Sequence, residues 1–146
     1  MADIHDPVVR DELKRRIRSL RPDSARQWGR MTVDQMLWHV NIPLAECAGE
    51  YKTQPKPLPI PRRLLLWFTL NMPWPRGART RPDLVATERH DFETERQRCL
   101  DLIDRICAGD IDGQWPPSAG FGDMSGREWG RLHAKHLDHH LRQFGV

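Results

Sequence analysis

The 146-residue sequence predicts an all-α protein, a four-helix bundle with a long crossover between its second and third helices, in a single domain spanning residues 1–146. Three observations carry this. Four segments repeat apolar residues at helical spacing, two of them open on the same start signal, and a proline-rich stretch separates the middle pair.

The first segment runs from Pro7 to Leu20, with Val9, Leu13, Ile17 and Leu20 on one stripe and Pro22 beyond its end. Pro7 suits a first helical turn, where its missing N–H costs nothing. The second runs from Thr32 to about Glu50. Thr32-Val33-Asp34-Gln35 has the spacing of a capping box, and Met31 and Met36 occupy the staple positions around it. Pro43 lacks the N–H that would bond the His39 carbonyl, so a kink is expected there. The third spans Glu88 to Ala108, with Phe92, Cys99, Ile103 and Ile106 as its apolar face and Gly109 as its stop. The fourth begins with a second capping box, Ser125-Gly126-Arg127-Glu128, between Met124 and Trp129. It ends near Phe144, with Gly145 available as the C-terminal cap. Residues 51–86 hold seven of the twelve prolines, with room for a short helix after Pro61. A connection this long suits a crossover and not a tight turn between neighbours.

A chain this long buries roughly 68–70 % of its unfolded surface, so a core needs no disulfide staples. The three cysteines are odd in number and scattered, which suggests buried thiols in a reducing compartment. The N-terminal residues show no apolar leader, so a cytoplasmic location is expected. The apolar run Leu64–Leu70 is far shorter than the ~18–20 residues of a membrane span. A buried crossover helix is the expectation for it, with no membrane partner. The net charge of +3 is mild, yet residues 52–82 carry seven bases and no acid, and residues 83–115 carry nine acids and four bases. The basic run is expected to cover the acidic one that follows, or else to favour an anionic ligand. No recognition motif accompanies it, so no nucleic-acid partner is expected.

The histidines are unevenly placed. Seven in the chain predict about 0.4 in any eight-residue window, yet His133, His136, His139 and His140 share one. On a helix all four lie within about 60° of His136, on the face of Trp129, Leu132 and Gln143, which points them inward. His136 and His140 are four apart, so two imidazoles can converge on one ion. The second helix adds a third candidate, His39, with Gln35 and Glu46 on the same face. Glu46 is the candidate carboxylate general base, and Cys47 reads as a buried thiol. His5 and His90 sit among charges and carry no assigned role.

The run Glu128-Trp129-Gly130, His133 and His136-Leu137-Asp138-His139-His140-Leu141-Arg142-Gln143-Phe144-Gly145 resembles the last helix of the DinB-like (YfiT-type) superfamily. Trp28-Gly29-Arg30-Met31-Thr32, Gln35-Met36, His39, Thr80-Arg81-Pro82 and Phe121-Gly122 are similar to one branch of it, described as a domain of unknown function. The resemblance covers residues 20–145. It implies an up-down-down-up bundle with His39, His136 and His140 as ligands of a divalent transition metal, zinc or nickel. His133, His139 and Gln35 are then left as supporting residues around that metal. Homodimers are common in the superfamily. The branch carries His-Pro shortly before Phe-Gly, whereas this chain has Ser118-Ala119-Gly120, so any contribution of that histidine is missing here.

Three neutral imidazoles leave an ion its charge and an open position, which acidifies a bound water or deprotonates a bound thiol. Hydrolysis is one chemistry that follows. The resemblance implies the other, thiol transfer, since the superfamily includes transferases and isomerases that use low-molecular-weight thiols. A non-catalytic metal-binding or stress-associated bundle is the reading outside catalysis. Transfer from a low-molecular-weight thiol is preferred, because the basic crossover with Trp67 and Trp74 would line the pocket mouth and hold the carboxylates of such a small-molecule substrate. Metal affinity is expected to fall as pH drops through about 6.5.

Overall fold

Side-chain oxygens open three of the five helices in the computed structural model, which describes residues 1–146. Helix α1 (Pro7–Ser19) starts where Asp6 accepts the Val8 N–H, with Pro7 in the first turn. Helix α4 (Phe92–Cys107) is capped by Asp91, which accepts the Thr94 N–H. Helix α5 (Gly126–Gln143) has the full reciprocal box: Glu128 N–H donates to the Ser125 hydroxyl and Ser125 N–H to the Glu128 carboxylate. In α2 (Val33–Cys47) the box is one-sided. Gln35 accepts the Thr32 N–H at 3.0 Å, while the Thr32 hydroxyl is buried without a partner.

Two expected boundaries move, each for a visible reason. Helix α2 stops at Cys47 and not at Glu50, because Gly49 turns left-handed (φ 79°) and closes the end. Gly49 N–H then bonds Glu46 O and Glu50 N–H bonds Ala45 O, the two bonds of a Schellman motif. Helix α4 starts four residues later than its periodicity suggests. Residues 89–90 are instead clamped onto α2, where Asp34 accepts two nitrogens of Arg89 and the His90 N–H, and the His90 ring stacks on Trp38. Gly145 ends α5 with the same two-bond pattern, as its position suggested. Helix α2 runs on through Pro43.

The four long helices form a closed set: α2 packs chiefly on α4 and α5, and α1 on α5 and α4. A single cluster of buried apolar side chains joins all of them. Trp129 is fully buried, as its staple position requires, and donates its indole N–H to Pro116 O. The crossover contributes α3 (Arg62–Asn71), which packs on α5, and a 3₁₀ turn at Pro82–Leu84. Only Leu66 and Leu70 of α3 are buried. The expectation of a buried crossover helix is therefore corrected: α3 lies on the surface of the bundle. No helix is long and apolar enough to cross a membrane.

Burial and capping set the stability expected of two variants. Ile103→Ala, at a fully buried position of α4, should cost about 3 kcal/mol in urea unfolding. Ser125→Ala should cost about 1 kcal/mol.

Candidate metal centre

Packing of α2 on α5 brings His39 against His136 and His140. Their ring centroids lie 4.9, 4.7 and 4.8 Å apart, and the rings meet at steep angles of 79°, 73° and 68°. The three form a nearly equilateral triangle, with one nitrogen from each ring inside a span of 4.8 Å. His39 and His140 are buried and His136 is half-buried.

Two of the rings are held in one tautomer. His39 Nδ1 lies 2.8 Å from the Leu84 carbonyl in the 3₁₀ turn, so Nδ1 carries the proton and Nε2 offers its electron pair. His140 Nδ1 donates to Gln143 Oε1 at 2.8 Å, and Gln143 Nε2 in turn donates to Trp28 O at 2.9 Å. His136 Nε2 meets His39 Nε2 at 2.9 Å, and since the latter can only accept, the proton between them is His136's. His39 and His140 keep an unprotonated Nε2 toward the cluster, and a shift of the His136 proton from Nε2 to Nδ1 would complete a set of three neutral donors, so these three residues could hold a divalent transition ion.

Burial keeps the cluster neutral. It lowers the pKa of His136 well below the usual histidine value, and the neighbouring histidines add to the effect. His140 is pushed down to about 3, first by burial and then by His39, with the Gln143 bond opposing. Burial lowers His39 too, against the Leu84 bond that favours its charged form.

The remaining candidates separate. His139 joins the rim: its ring meets His140 at 5.1 Å, Trp74 at 5.6 Å and Trp28 at 5.8 Å. His133 faces away and stacks on Trp129 at 5.2 Å, with its Nε2 buried and unpartnered. Gln35 has both ends of its amide occupied elsewhere, by Thr32 N–H and Glu88 O. Glu46 does not join the rings either. Its buried carboxyl accepts a long bond from Ala119 N–H (3.4 Å) beside Arg81 (3.7 Å), lining a separate recess of about 370 Å³. Burial raises its pKa, partly offset by Arg81.

The sequence does not reveal that the carbonyls of Leu84 and Trp28 anchor the site, and it puts Gln143 on the inward face without a role. Of the two crossover tryptophans, Trp74 reaches the site, 5.8 Å from His136, while Trp67 is exposed on α3. Arg76 lies over the Trp28 ring at 4.6 Å, which puts a guanidinium at the same rim.

The family described as "Protein of unknown function (DUF1569)" matches residues 9–145. No curated protein and no solved structure matches the chain.

The depressed histidines predict a pH dependence with a definite sign. Between the folded values, about 3 for His140, and the unfolded value near ~6.5, the unfolded chain binds more protons. The stability that depends on neutral rings is complete above about pH 6.5 and is lost as pH falls toward the folded values. Urea midpoints of the metal-free protein should drop steadily from about pH 6.5 to 4, and His140→Gln should flatten that slope by about one proton.

Proposed function

This chain belongs to the DUF1569 family, whose function is unknown, and on that premise we propose a metal-dependent DinB-like protein that transfers a low-molecular-weight thiol. His39, His136 and His140 hold one divalent transition ion, zinc or nickel. The observation that carries this is the near-equilateral triangle of buried imidazoles, in which Leu84 O and Gln143 fix two rings before any ligand arrives.

An ion bound there supplies undiminished positive charge, which favours the thiolate over the thiol. The protein does the rest. Trp74 covers one side of His136 and limits access of water, its indole pinned to Thr69 O. Arg76, laid over Trp28, presents a cation at the rim for the carboxylates of a cysteine-derived thiol. No carboxylate stands among the rings to take a proton from water, because Glu46 faces Arg81. That favours a substrate which arrives acidic, and it places hydrolysis second.

The test is metal content and a cobalt spectrum. The protein as purified, or after reconstitution, should carry near one equivalent of metal, and His136→Ala/His140→Ala should carry none. Gln143→Ala should weaken binding about 10- to 100-fold by freeing the His140 ring. Because burial already keeps the rings neutral, occupancy should persist below the ~6.5 expected of exposed histidines and be lost as pH falls toward the His140 value of about 3. With cobalt in the site, a small thiol should add a sulfur-to-metal absorption band. Metal without that band would overturn thiol transfer and leave a hydrolase or a non-catalytic bundle. Absence of metal after reconstitution would overturn the whole reading.

A further inference from the structure

Helix α3 turns its largest side chains outward. Leu66 and Leu70 face the bundle, and on the opposite side Leu64 (46 % exposed), Trp67 (53 %), Phe68 (47 %) and Met72 (48 %) make one apolar stripe. Leu58 and Ile60, just before the helix, are exposed as well. These six are most of the large apolar side chains that the protein leaves in solvent, and they fall within fifteen residues. A contiguous patch of this kind marks a docking surface. Its outward aim is fixed from behind: Lys135 of α5 donates to the carbonyls of Thr69, Leu70 and Met72, and Arg63 pairs with Glu128.

The charge of the crossover that carries the stripe identifies what it would meet. The crossover's bases do not cover the acidic segment as its composition suggested. Arg81 pairs with Asp83, and Lys56 acts on the same carboxylate from farther off. The acids of α4 find other partners, Glu93 with Arg96 and Asp104 with Lys14. Apart from Arg76, which lies over Trp28 at the rim of the histidine cluster, Lys52, Lys56, Arg62 and Arg79 make no ion pair, and residues 52–82 contain no acid. An exposed apolar stripe carried by a segment rich in unpaired bases and free of acids has the chemistry of an interfacial helix, in which Trp, Phe and Leu enter the headgroup boundary and bases sit on anionic headgroups. A second copy of the chain fits poorly, since pairing like faces sets unpaired bases against bases.

We propose, against the sequence expectation of no membrane partner, that α3 and the crossover around it dock the protein on an anionic lipid surface, lying in the interface and not spanning it. This rests on the surface of the bundle and is independent of the metal site.

The experiment is co-sedimentation of the full chain with phosphatidylcholine vesicles, with and without roughly a third phosphatidylglycerol. Binding should require the anionic lipid and weaken between about 0.1 and 0.5 M salt. Trp67→Ser/Phe68→Ser should lower the partition at least about tenfold, as should Lys56→Ser/Arg79→Ser. Both pairs are exposed, and an unchanged urea midpoint confirms the fold of each. Absence of binding, equal binding to neutral vesicles, or binding that neither pair alters would overturn the proposal. So would concentration-dependent self-association that Trp67→Ser/Phe68→Ser abolishes, which would assign the face to a second copy.

Discussion

Neutral imidazoles buried between α2 and α5 are the constraint around which this protein is arranged. A ring nitrogen removed from water without a partner costs several kcal/mol, roughly 2–7 depending on reference state, so each must be answered. The answers come from far along the chain. Leu84 reaches His39 from the end of the crossover, and Trp28 reaches His140 through Gln143 from the loop before α2. Trp74 closes over His136. Two connecting segments, before α2 and between α3 and α4, are thereby held against the three rings.

What could be read in the sequence was what depends on periodicity. The His136–His140 pair follows from a spacing of four on a helix, and His39 from an apolar helical context. Both capping boxes and the Gly145 end are local patterns, and all but the Thr32 hydroxyl behave as such. The partners of the rings could not be read, because Leu84 and Trp28 contribute backbone carbonyls, which every residue has. Glu46 shows a second limit. A helical wheel puts it on the face of His39, but two turns carry it about 10 Å along the axis, into a recess with Arg81. For α3, composition identified a helix without showing how little of it the bundle would cover.

The two sides of the crossover follow opposite rules. Toward α5 it is fully accounted for, with Lys135 gathering the carbonyls at the end of α3 and Trp74 bonded to Thr69 O. Toward solvent it exposes tryptophan, phenylalanine and unpaired arginine together. A segment needed only to cross from α2 to α4 could have been polar on that side at no cost to the core.

Gln143 sits between two unequal demands, since its oxygen must accept from His140 and its nitrogen must donate to Trp28 O. Glutamate could meet only the first, and any side chain at position 29 would intrude. A Cβ on Gly29, already at φ 80°, would fall 2.6 Å from the Gln143 nitrogen. Position 29 and positions 140 and 143, more than a hundred residues away, are therefore not free to drift separately. In a lineage that exchanges one of them, the others should change within the same branch, so the pair can be followed through descent as a single inherited character.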